Sequence, residues 1–134
     1  MANPNIANVT SIYGGNVAWA LTNTVTTTLL TVAADVIVKI NSLIVTNIHG
    51  TNAATVSVEI HGMGAGSTGM TVASSLATCR LASTMNVPAD DSLVLIDKPI
   101  YLMEADVLRG GASAASTLEL FASYEVINLS LIHI

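Results

Sequence analysis

Charge is scarce in this chain. Only 10% of its 134 residues are Asp, Glu, Lys or Arg, against about a quarter in an average soluble domain. Nine acids and four bases give a net charge of −5, and the bases form no cluster. Nothing in that distribution attracts a phosphate backbone, so nucleic acid is not expected as a partner. Aromatic residues are also sparse, at 4%. Tyr13, Trp19, Tyr101, Phe121 and Tyr124 are dispersed along the chain, which weakens the case for a carbohydrate-binding sandwich that stacks its rings on sugars.

Cysteine occurs once, at Cys79. A single thiol forms no intrachain disulfide and no cysteine cage for a metal, and a reduced, buried side chain is expected. No apolar run reaches the roughly 18 residues that a membrane span needs, so no membrane partner is expected. The opening MANPNIANVTSIYGG has no basic stretch followed by an apolar one, and no classical secretion signal is expected there.

What the chain does have is Ala, Val, Leu and Ile, which supply most of a 51% hydrophobic share, together with abundant Thr and Ser. That mixture suits pleated, half-buried surfaces better than solvated helices. The length fits one domain with one hydrophobic core. Weakly polar faces of Thr, Ser and Ala lose water at little cost against a neighbouring subunit, so a homo-oligomer or lattice member is expected.

From Val36 the text reads VIVKINSLIVTNIHGTNAATVSVEIHG, two β-rich runs around the turn-rich His49 to Ala53. This pattern predicts a hairpin. In the second run Val56, Val58 and Ile60 alternate with Thr55, Ser57 and Glu59, as in a half-buried strand. In the first, Val36, Val38 and Ile40 share a parity that Leu43 and Val45 break. Either a bulge near Asn41 and Ser42 restores the register or both faces are buried.

Further on, Leu93 to Ile96, Ile100 to Leu102 and Val107 to Arg109 read as short strands separated by Asp97-Lys98-Pro99 and Glu104-Ala105-Asp106. Gly110 and Gly111 predict another loop. Leu118, Leu120, Ala122, Tyr124 and Val126 then alternate with Thr117, Glu119, Ser123 and Glu125. Val17 to Leu21 and Val25 to Val32 are weaker strand candidates. The expectation is an all-β antiparallel sandwich or jelly-roll-like barrel of about eight short strands, over residues 17–128. Residues 1–16, rich in Asn and Gly, read as an extended arm able to reach a neighbouring subunit.

The one enzyme-like motif is Gly64-Ala65-Gly66-Ser67-Thr68-Gly69, a formal G-x-G-x-x-G after a strand. In a nucleotide-binding enzyme such glycines admit a pyrophosphate to a helix N-terminus. A partial helical stripe at Val72, Ala73, Leu76, Ala77 and Arg80 follows, with Asp90 and Asp91 about twenty residues on. The second hydrophobic strand that should carry the acid is missing, because Met85-Asn86-Val87 is short and ends at Pro88. An inter-strand loop that includes Gly62 and Met63 explains the glycines better. A cofactor titration showing micromolar binding would overturn that choice.

Other chemistry is weaker still. If the turn pairs Ile48 with Ala54, then His61 faces Asn41 and lies roughly 26 Å from His49 at about 3.3 Å per residue, too far to share a metal. His49 then reads as a turn residue and His61 as a strand-end polar residue. Asp90, Asp91 and Asp97 match no calcium-loop spacing. Glu104 and Asp106 flank one residue of a tight turn. No G-x-S-x-G elbow is present. No catalytic, cofactor-binding or metal-binding residue is assigned, no cofactor is expected, and the chain is not expected to be an enzyme.

The stretches MANPNIANVTSIYGG, KINSLIVTNIHGTNAATVSVEI, VPADDSLVLIDKPIYLMEADVLRGGAS and LELFASYEVI together resemble a family of small virion structural proteins of tailed bacteriophages. The Gly62 to Gly69 segment looks like a variable insertion in that pattern. The resemblance implies a non-enzymatic protein located in the virion, with capsid, neck or tail proteins and its own copies as partners. Capsid decoration or cement is the first expectation, and a neck or tail-associated adaptor or fibre protein the alternative. The family pattern ends near Asn128. Residues 129–134, Leu-Ser-Leu-Ile-His-Ile, can be back-translated to CTG TCT CTT ATA CAC ATC, the end sequence of a transposon adapter used for sequencing libraries, and they read as a non-native tail.

Overall fold

The computed structural model describes residues 11–62 and 76–128. These form nine strands and no helix: β1 (Ser11–Ala20), β2 (Thr28–Thr31), β3 (Val36–Asn47), β4 (Ala54–His61), β5 (Thr78–Val87), β6 (Ser92–Ile96), β7 (Ile100–Leu102), β8 (Val107–Ala112) and β9 (Leu118–Asn128). One sheet has the order β1-β9-β3-β6, with β7 also on β3, and the second has the order β2-β8-β4-β5. We call them sheets A and B. Every pairing is antiparallel.

The strand β6 ends with Ile96 opposite Leu43, and β7 begins with Ile100 opposite Ile40. They are one strand line along β3, interrupted by Asp97-Lys98-Pro99. Counted so, first pairs with last, second with seventh, third with sixth and fourth with fifth. That is a long hairpin folded over on itself, the jelly-roll arrangement of two four-stranded sheets.

Alternation along each strand sends one side chain in two between the sheets. The core includes Ile40, Leu43 and Val45 of β3, Val56 and Val58 of β4, Leu108 of β8 and Leu120 of β9, all fully buried. Of the two alternatives for the parity break in β3, the structure has the bulge. Ile40 faces Tyr124 and Ser42 faces Ser123, leaving Asn41 as the extra residue. Val38 and Ile40 before it, and Leu43 and Val45 after it, therefore all point into the core.

The predicted hairpin of β3 and β4 does not form. Both flanks of β3 are taken by β9 and by β6 with β7, and both flanks of β4 by β8 and β5. The turn between them is a corner from one sheet to the other, so their apolar sides meet across the core instead of lying side by side. Asn47, 1% exposed, holds this corner. Its side-chain amide donates to Asn52 O at 3.0 Å and Val87 O at 2.9 Å, and its Oδ1 accepts from His49 N at 2.8 Å.

Four further expectations change. Residues 11–16, assigned to an arm, lie in β1, which stays in register with β9 from Ser11 to Ala20; the apolar residues of β9 give that segment a ladder its Asn and Gly content did not suggest. The strand expected over Val25 to Val32 is confined to Thr28–Thr31, because Thr22 to Thr27 forms a turn closed by Thr27 N donating to Thr24 O at 3.2 Å. Gly110 and Gly111 do not open a loop but continue β8. A Cβ on Gly111 would stand 2.5 Å from Thr24 O and 2.9 Å from Val25 Cα, so glycine is needed for the chain to cross there. Finally, residues 78–87 form β5, where only the short stretch Met85 to Val87 before Pro88 was expected to be extended and the disfavoured nucleotide-binding reading set Leu76, Ala77 and Arg80 on a helical stripe.

Candidate functional site

The outer surface of β4 carries the most concentrated polar chemistry. Ser57 and Glu59 were expected on a solvated face, yet both are buried, Glu59 to 3% exposure. The cause is the strands on either side. Glu59 lies directly between Arg109 of β8 and Arg80 of β5. Arg109 donates from Nε to Oε2 at 2.7 Å and from Nη2 to the same oxygen, while Arg80 Nε lies 3.7 Å from Oε1. Ser57 Oγ accepts from Thr84 N at 2.9 Å, where β5 bulges and Thr84 takes a left-handed φ of 47°. Both carboxylate oxygens are therefore engaged by guanidinium groups. This arrangement ties three strands together around one buried carboxylate.

The residues considered for chemistry from the sequence are held in turns and strand ends. His49 Nδ1 accepts from Thr51 N at 3.1 Å and Asn52 N at 3.0 Å, as a turn residue. His61, at the end of β4, pairs through Nδ1 with Thr78 Oγ1 at 2.6 Å. Glu104 Oε1 accepts from Asp35 N at 3.0 Å, and Asp106 Oδ2 from Met103 N at 2.9 Å, so these acids close their own loop against the next one. Asp91 Oδ1 accepts from Ser92 N at 2.8 Å. Cys79 is exposed on β5 rather than buried, because β5 is an edge strand and the thiol lies near its beginning. Among the described residues no three His, Cys, Asp or Glu side chains are placed to hold a metal. The Gly64 to Gly69 motif, Val72, Ala73, residues 1–10 and residues 129–134 lie outside the described residues.

The outer face of sheet A is different in kind. Register sets Ala18 of β1 opposite Phe121 of β9, Phe121 opposite Ile44 of β3, and Ile44 opposite Val94 of β6. Directly opposed residues share a face, so these four form one apolar stripe across the whole sheet. Phe121 is 39% exposed and Val94 56%. The row on one side is Asn16, Ser123 and Ser42, and the row on the other is Ala20, Glu119, Thr46 and Ser92. Farther along lies an ion pair, Lys39 Nζ to Glu125 Oε2 at 4.0 Å. Sequence alternation assigned this face to polar residues and passed over Phe121, Ile44 and Val94. Their presence at the outward parity of three strands is the signal that would have revealed the stripe.

The aromatic side chains do not converge. Tyr101 shares the outer face of sheet A with Phe121, but four β9 residues separate their rows, roughly 13 Å. Trp19 packs against the core, and Tyr124 lies over Gly15, where a Cβ would meet its ring at 2.8 Å. At the end of the sandwich near Tyr124, an apolar cleft of about 250 Å³ opens between Leu30 to Ala33 on one side and Val36, Val38 and Val126 on the other.

No protein-family model matches the chain, and no curated protein matches it. One solved structure that is similar comes from Bacillus endospore appendages, described as a novel family of disulfide-linked pili. It aligns with a TM-score of 0.46 and 15% identity over 89% of this chain and 88% of that one. The expected role as a phage capsid decoration protein, or as a neck or tail component, is corrected on this finding. The likeness runs to a spore appendage protein and not to a phage particle, and nothing in these comparisons supports phage partners. At that identity and TM-score the likeness assigns no function of its own. The architecture is that of an all-β, two-sheet antiparallel sandwich.

Proposed function

We propose that this chain is a non-catalytic structural subunit that associates with copies of itself through the outer face of sheet A. The observation that carries the reading is the four-strand stripe of Ala18, Phe121, Ile44 and Val94, flanked by uncharged or weakly charged rows. A contiguous apolar surface on a charge-poor chain loses water favourably against another such surface. The polar side chains support the same reading, since Glu59, Glu104, Asp106 and His49 are engaged in holding strands and turns.

Sedimentation velocity over a wide concentration range tests it. The expected result is a concentration-dependent oligomer that Phe121→Arg weakens by at least about tenfold, as for a central aromatic at an interface. A wild-type protein that stays monomeric at millimolar concentration, or a Phe121→Arg variant that associates as well as wild type, overturns the proposal.

A further inference from the structure

The two sheets present four edges, and three of them carry features that discourage strand addition. On sheet A, the line of β6 and β7 is broken by Asp97-Lys98-Pro99, and its register on β3 shifts between Leu43 and Ile44. On sheet B, β5 shifts register twice against β4, contains Arg80 and bends at Thr84. The other edge of sheet B, β2, has only four residues and a register shift at Leu29. Short strands, bulges, proline and charge are the usual means by which an edge is kept from pairing.

The fourth edge has none of them. The strand β1 runs ten residues, SIYGGNVAWA, with no charged side chain and no proline, and its ladder with β9 is unbroken throughout. Among the described residues it pairs only with β9, so its other side presents a regular row of backbone donors and acceptors. We propose that this edge takes the β1 strand of a second copy of the chain, antiparallel, so that two A sheets join into one. The occupant is argued from the strand itself. An uncharged sequence set against its own copy places no like charges opposite each other, and a two-fold pairing closes and covers the one edge left regular. With the two-fold axis perpendicular to the sheet, both apolar stripes come to the same side of the joined sheet. This inference rests on the self-association reading above and names one contact within it.

Two measurements test it together. Amide hydrogen exchange across a dilution series should show protection over Ser11–Ala20 at high concentration that is lost on dilution, while β5, β6 and β7 stay unchanged. The Ile12→Lys/Asn16→Lys variant puts charges at two exposed positions of β1 outside the apolar stripe and should weaken pairing at least tenfold, with an unchanged circular dichroism spectrum. If the wild type associates but β1 exchange does not depend on concentration, the edge proposal fails and the broader reading stands. Should Phe121→Arg abolish association while the lysine variant leaves it intact, the outcome is the same. A wild type that is monomeric throughout defeats both. If the lysine variant does not fold, exchange on the wild type alone decides.

Discussion

Removing the carboxylate of Glu59 should destabilise this protein far more than removing Arg80, the more exposed of the two arginines that face it. The side chain is 3% exposed and Arg109, which donates twice to its Oε2, is 19% exposed, while Arg80 is half exposed. Glu59→Leu leaves Arg109 enclosed without a carboxylate, since among the described residues no other acid lies within ion-pair distance of it. Breaking one side of a fully buried pair costs about 3–5 kcal/mol. Discounted for the water that still reaches Arg109, the expected loss is about 2–3 kcal/mol. With an m-value of about 1.5 kcal/mol/M, the urea midpoint falls by about 1.3–2 M. Deleting both charges in Glu59→Leu/Arg109→Leu should recover most of this, to within about 1 kcal/mol of wild type, because no charge is then left stranded. Arg80→Ala should cost about 0.5 kcal/mol or less, as for an exposed pair. The assay is urea unfolding by circular dichroism, with all variants at one low protein concentration so that association does not enter the comparison. A single Glu59→Leu within 0.5 kcal/mol of wild type, or a strictly additive double variant, would show that this ion pair does not hold β4, β5 and β8 together as argued.

What the sequence disclosed and what it hid divide along one physical line. Alternation made β9 legible from Leu118 to Val126, and the break in parity after Ile40 disclosed the bulge at Asn41, because both signals are local to one strand. Partnership is not local. The runs on either side of His49 to Ala53 have the composition of a hairpin, and only competition with β8, β9 and the other strands for their flanks sends them to different sheets. The same holds for Glu59. Its parity reads as solvent-facing, and the residue that encloses it, Arg109, lies 50 positions away.

The strand β5 was hidden for a different reason. Its two register shifts and the left-handed Thr84 destroy the period of two that would identify it. Gly110 and Gly111 misled because glycine is a poor strand former; the reason for them is the backbone of Thr24 and Val25, which approaches from a part of the chain that gives no sign of it. The candidate surface was partly visible. Phe121, Ile44 and Val94 each stand at the outward parity of their strand, but that they form one row follows only from three registers taken together.

The remaining predictions concern the corners. Asn47→Ala removes two donors from Asn52 O and Val87 O and the acceptor for His49 N; with buried partners left unsatisfied the expected loss is about 2–3 kcal/mol, accompanied by faster exchange at the His49 amide, and an unchanged midpoint refutes the role of the corner. Gly111→Ala should be more damaging than its single methyl suggests. The contacts at 2.5 Å from Thr24 O and 2.7 Å from Thr24 C are with backbone, which cannot swing aside as a side chain would. Relief requires the Thr22 to Thr27 segment to lift, and that strains Ala112 N donating to Thr22 O at 2.8 Å and Gly110 N donating to Thr27 O at 3.1 Å. The expected cost is about 2–4 kcal/mol, or a fall in Tm of roughly 6–15 °C for a chain of this size. Gly14→Ala is the control, because no atom stands within 4 Å of its Cβ position and its φ is not positive. That substitution should leave Tm unchanged or raise it slightly through the lower entropy of the unfolded chain. If calorimetry finds the two variants alike, the crossing over Gly111 is not what fixes glycine at that position.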